Sequence, residues 1–157
     1  MQSRERVMRA LNFESVDRLP RDLGGMRSTC ISAFAYPKLV EALGLAPRKP
    51  KVYDIGQMLA LPDMDVLDAL GCDVAMVERG VTNAFEQAEI WKPYDFGGRL
   101  EALVLNPEIF EARQDGSVVT RSGQTMLPAS TVFDNEHGGQ PLILEGDLPK
   151  PDLDQIR

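Results

Sequence analysis

The stretch RLPRDLGGMRST, residues 18–29, constrains this chain more than any other. A short extended run, 19–23, ends in two glycines and is followed by small polar residues and one arginine. Lacking a Cβ, Gly24 and Gly25 let the backbone turn sharply or pass close to a ligand. The pattern predicts a strand over 19–23, a turn, and a helix beginning near Ile31. Arg27, Ser28 and Thr29 then stand where a strand hands over to a helix N-terminus, a place that favours anions. In a parallel sheet that place is the carboxyl end of a strand, where α/β enzymes keep their sites.

The rest of the chain narrows the class. Its 157 residues are enough for one domain with a core. A formal net charge of −7 argues against a nucleic-acid partner held by phosphate neutralisation. There is no apolar run of the roughly 18 residues that a bilayer requires, and the amphipathic start MQSRERVMRALNF lacks a signal-peptide core. Cys30 and Cys72 are far apart, in no metal or redox spacing. A cytoplasmic protein is the expectation, with a small-molecule partner and neither nucleic acid nor membrane.

Helical spacing predicts a first helix over 3–12 with Ser3 as its cap, and a second over 31–43 closed by Gly44. Pro37 interrupts that second helix or starts a new first turn within it. The piece YDIGQMLALP is extended or helical. A third helix follows Pro62, with Met64, Leu67, Ala69 and Leu70 as its core face and Gly71 at its end. The apolar run CDVAMV, 72–77, then reads as a buried strand. Beyond Gly80 the texture changes. Short runs over 100–105, 109–113, 117–121 and 125–127 alternate with Asp115-Gly116 and Ser122-Gly123, which marks an antiparallel meander across 90–133. The tail offers Asp152 as the cap of a helix that has scarcely begun, and two α/β units plus a meander leave open edges. A truncated chain, a single partial domain spanning 1–157, is the expectation.

Chemistry-bearing residues gather near the predicted strand ends. Arg27 is either a fork for a carboxylate or phosphate or a solvated loop arginine. Asp22, at the same strand end, is a candidate acid/base or orients Arg27. Gly24 and Gly25 make a turn or admit a ligand, and Ser28 and Thr29 cap a helix or touch one. Asp73 opens the second predicted strand and Glu78 closes it, so Glu78 is the better catalytic candidate by position. Tyr53, Asp54 and Gln57 form a further polar set. His137 is the single histidine and cannot build a two-histidine metal site with Cys30 and Cys72. Trp91 and Phe85 read as core.

At this point the chain resembles a known family. SRERVMRALNFESVDRLPRDLGG (3–25) is similar to the opening of the uroporphyrinogen decarboxylase superfamily, where a helix leads through D-R-x-P into the first barrel strand. STCISAFAYPKLVEALGL and KVYDIGQMLALPDMDVLDALGCDVAMV continue the likeness in order, and DGSVVTRSGQTMLPASTVFD resembles the β insertion of a divergent branch. The resemblance implies the N-terminal portion of a TIM (β/α)₈ barrel, incomplete because such barrels need about 250 residues, with an inserted antiparallel β-meander.

Two chemistries follow from it. The haem-pathway decarboxylase, an enzyme of porphyrin biosynthesis, needs no cofactor and holds its tetrapyrrole's carboxylates with arginines from an R-Q-A-G-R-like stretch. Here LGGMRST stands in its place, so Arg27 alone matches an arginine of that loop. The methyltransferase branch moves a methyl group between a corrinoid cobalt and a thiol, with zinc lowering the thiol pKa. The departures favour a divergent or methyltransferase-type member. For a full-length protein the resemblance implies a zinc ion from residues late in the barrel, with a corrinoid protein or a second copy as partner. No cofactor is expected in the 157 residues themselves, and no turnover from them alone. The rival classes are the decarboxylase proper, a non-catalytic binding module, and a subunit completed by a second polypeptide.

Overall fold

The computed structural model describes residues 1–77 and 90–134. Its first element is helix α1 (Ser3–Leu11), which starts one residue before the expected cap takes effect, since Gln2 occupies the cap position. The run 19–23 is not a regular strand. It passes through bends into a short 3₁₀ helix at Arg27–Thr29. Strand β1 (Ile31–Ser32) comes next, and helix α2 (Tyr36–Ala42) starts only at Tyr36, with Pro37 in its first turn. The expected helix over 31–43 is thus halved. Ala33 N–H bonds Met58 O at 2.7 Å instead of serving a helix, and proline is at home where a first-turn donor would be unused.

YDIGQMLALP is a hairpin. β2 (Lys51–Asp54) and β3 (Leu59–Leu61) pair antiparallel, with a register shift between Val52 and Asp54. Helix α3 (Met64–Leu70) ends at Gly71, whose φ of 62° makes it the left-handed cap. Its inward residues are Val66 and Leu67, while Met64 and Ala69 face solvent, contrary to the expected core face. The run 72–77 is also not a regular strand.

Five strands follow. β4 (Lys92–Asp95) and β5 (Glu101–Val104) form a hairpin whose turn holds Gly97 and Gly98 at φ 67° and 72°. Both positions need the left-handed region that a mirror-image hairpin turn demands. β6 (Phe110–Ala112), β7 (Val118–Thr120) and β8 (Thr125–Met126) form a separate three-stranded antiparallel sheet. The four strands expected over 100–127 are present, yet the first of them does not join the other three. β5 instead lies parallel to β2, with Lys51 opposite Leu103, and completes an open five-stranded sheet in the order β1-β3-β2-β5-β4.

One apolar core joins both sheets to α2 and α3. Tyr36, Val40, Val52, Met58, Val66, Phe96, Val104, Val118 and Met126 are all but fully buried in it. Phe110 packs within it, with its ring 5.2 Å from Phe96 and 5.8 Å from Phe133, centroid to centroid. Trp91 is buried, as expected, and Phe85 falls outside the described residues. Arg99 ties the β4–β5 turn to the loop after β8, donating from Nη1 to Pro128 O at 2.8 Å and Ser130 O at 2.7 Å. No helix among the described residues is long and apolar enough to cross a membrane.

Candidate functional site

The site begins with two irregular segments, 18–25 and 71–77. Asp73 N–H donates to Arg21 O at 2.8 Å, and Arg21 N–H donates to Asp73 Oδ2 at 2.9 Å, so residues 18–25 and 71–77 run side by side. A Cβ placed on Gly25 would lie 2.9 Å from Val74 Cγ2 and 2.7 Å from Asp22 Oδ1. The second glycine is therefore required by close packing between the segments.

What holds the segments is ionic. The Asp73 side chain is wholly enclosed and receives Arg18 Nη1 at 2.6 Å together with Arg6 Nη1. Arg6 also forks onto Asp17, with Nε to Oδ1 at 2.7 Å and Nη2 to Oδ2 at 2.9 Å. Burial by itself would raise the Asp73 carboxyl. The Arg18 bond, the Arg21 amide, Ser3 and Arg6 outweigh it and hold the group well below the usual carboxylate range. The Arg6 fork does the same for Asp17. Sequence reading placed Asp73 at a strand start and passed over this clasp. A signal was there, since one aspartate interrupts the apolar run CDVAMV and buried carboxylates need partners.

Beyond the clasp the Gly-Gly turn is set by its own side chains. Asp22 Oδ1 accepts Gly25 N–H at 2.7 Å. Gly24, at φ 81°, donates its N–H to Thr29 O at 3.1 Å. Thr29 Oγ1 accepts Met26 N–H at 3.3 Å and donates to Met26 O at 3.0 Å, while Ser28 is exposed. Arg27, Ser28 and Thr29 stand in a 3₁₀ turn that leads into β1, not at an α-helix N-terminus. The anion preference expected from a helix dipole therefore does not apply to them.

Two candidate groups that the sequence offered separately meet here. Arg27 Nη1 lies 3.6 Å from Asp54 Oδ2, and its guanidinium carbon is 5.8 Å from the centroid of the Tyr53 ring. Tyr53 Oη and Cys30 Sγ are 2.9 Å apart. Burial is the main reason both the thiol and the phenol are pushed up, so Cys30 stays protonated near neutral pH and is no ready nucleophile. Asp54 Oδ1 accepts Gln57 N–H at 2.9 Å, which gives Gln57 a backbone role in the β2–β3 turn.

Two clefts flank the Gly24–Gly25 turn and share Met76 and Val77. One, of about 330 Å³, is walled by Gly25, Met26 and Arg27. The other, of about 360 Å³, opens against Gly24, Lys51, Pro62 and Asp63. Lys51 was not among the residues picked from sequence. Glu78 follows Val77 directly, and both it and His137 lie outside the described residues. Among the described residues no three His, Cys, Asp or Glu side chains converge on a point that would hold a metal ion. No family model matches the chain, and neither a curated protein nor a solved structure matches it.

Proposed function

We propose that this chain is the opening part of an enzyme of the uroporphyrinogen decarboxylase superfamily, cytoplasmic and of the divergent or methyltransferase-type branch. One observation carries the reading. Segments 18–25 and 71–77 are bonded to each other at Arg21 and Asp73, and the Gly-Gly turn of the first brings Arg27 over Tyr53 beside a cleft. That is how a barrel enzyme presents a substrate, at the end of neighbouring inner strands. Leu19 and Val77 on these segments are 79% and 83% exposed, which fits inner strands whose other neighbours are supplied elsewhere.

In this reading Arg27 takes an anionic group of a small-molecule substrate. Its guanidinium lies over the Tyr53 ring and 3.6 Å from Asp54 Oδ2, beside the cleft. Gly24 and Gly25 let the substrate approach the backbone, and Asp22 holds the turn. Zinc and a corrinoid partner, which the methyltransferase branch uses, would be held by residues other than those described, so no step is routed through them. The chain alone is expected to be inactive, and steady decarboxylation or methyl transfer by purified protein would contradict this.

A second reading has its own support. The core that joins both sheets is closed by Phe96, Phe110 and Phe133, which favours a chain that folds by itself as a binding module or split subunit. Reading the gene past the codon for Arg157 separates the two. An open frame of about 200 further residues supports the enzyme reading, and an immediate stop codon overturns it in favour of the second.

A further inference from the structure

The larger of the two clefts lies on the side of the Gly24–Gly25 turn away from Arg27, and nothing above assigns it a ligand. Its walls are apolar. Leu61, Pro62, Met64, Leu67, Ala75, Met76 and the exposed Val77 line an open cleft of about 360 Å³, within the range of small-molecule sites. Gly24 keeps it open, because a Cβ there would meet Pro62 Cγ at 2.9 Å.

The polar end of the cleft is Lys51 and Asp63. Asp63 is well occupied: Tyr36 Oη donates to its Oδ2 at 2.7 Å, and Arg48 stands 3.5 Å away. Neighbouring cations are also committed, Arg48 by a fork onto Asp65 at 2.8 and 2.7 Å and Lys49 by Glu101 at 2.9 Å. Lys51 differs. The one carboxylate oxygen near its ammonium, Asp63 Oδ1, is 3.7 Å away, beyond hydrogen-bond length. Its side chain is 30% exposed, and its ammonium has no acceptor within hydrogen-bond length among the described residues. An acceptor delivered by a ligand would satisfy it.

We propose that this cleft binds a small apolar molecule carrying one acidic group, the apolar body lying between Gly24 and α3 and the acid on Lys51. The named walls of the cleft all belong to the described residues. Calorimetric titration of the full chain with 2-naphthoate and with its uncharged counterpart 2-naphthol tests this binding. The account expects one equivalent of naphthoate to bind, more tightly than naphthol. Lys51→Gln should weaken naphthoate about tenfold or more, the loss of a charge-assisted bond, and leave naphthol unchanged. Ala75→Trp, at an exposed wall position, should abolish both. If Lys51→Gln weakens both probes, Lys51→Arg must restore naphthoate. Absence of saturable binding, equal binding of the two probes, indifference to Lys51→Gln, or failure of that rescue each overturns the proposal.

Discussion

The molecule is held together in two ways, and the contrast separates its scaffold from its site. Around the two sheets, stability comes from burial: Phe96, Val104, Val118 and Met126 are sealed in a shared core, and Arg99 only fastens a loop over it. Around α1 and the segments 18–25 and 71–77, apolar packing is thinner, with Leu23 the residue that reaches the core. Met8, Leu11, Phe13 and Leu19 are exposed, and the joint is Arg6, Asp17, Arg18 and Asp73. Burial is non-directional and tolerates sliding, whereas a forked ion pair fixes position and orientation. The region that must place the Gly24–Arg27 turn is the one held by geometry.

This contrast can be broken at either end. The largest effect is expected from Phe96→Ala, a fully buried ring touching Tyr94 and Phe110, which should cost about 3–5 kcal/mol in chemical denaturation. Gly25→Ala forces a Cβ against Asp22 and Val74 and should cost about 1–3 kcal/mol, all of it in the clasped region. Acid should act there too. Asp17 and Asp73 bind a proton less readily folded than unfolded, so their contribution is complete above the ordinary carboxyl range near pH 4. It is lost as pH falls through their lowered values. Thermal melts from pH 6 to 2 should therefore show a steep acid limb that Asp73→Asn flattens. The smallest effect belongs to Arg27→Ala. With its side chain 54% exposed, stability should change by no more than about 0.5 kcal/mol.

Local chemistry in the sequence was a good guide to turns and caps. Gly71, Gly97-Gly98, Gly116 and Gly123 all take positive φ, because a left-handed position leaves little choice of residue. Long-range pairing was not legible. Nothing near Leu103 says that it will lie beside Lys51, and residues 100–105 accordingly read as part of the meander. Ile31 looked helical because apolar spacing alone cannot separate two strand residues from a helix start; the pairing of Ile31 with Ala60 decides it. The site was half legible. Gly24, Gly25 and Arg27 stand out by residue type, whereas the Asp73 clasp joins residues 67 positions apart. The expected strands over 19–23 and 72–77 are adjacent but irregular, linked by a backbone bond between Arg21 and Asp73 and by the Asp73 carboxylate.

The most direct test of this account is amide hydrogen exchange on the wild-type chain and on Asp73→Asn. If the ion clasp holds the site region while burial holds the sheets, the variant should exchange faster in α1 and in residues 18–25 and 71–77. The amides of β5, β6 and β7 should keep their protection. Faster exchange throughout the chain, or no change at all, would contradict the claim that the clasp positions the site.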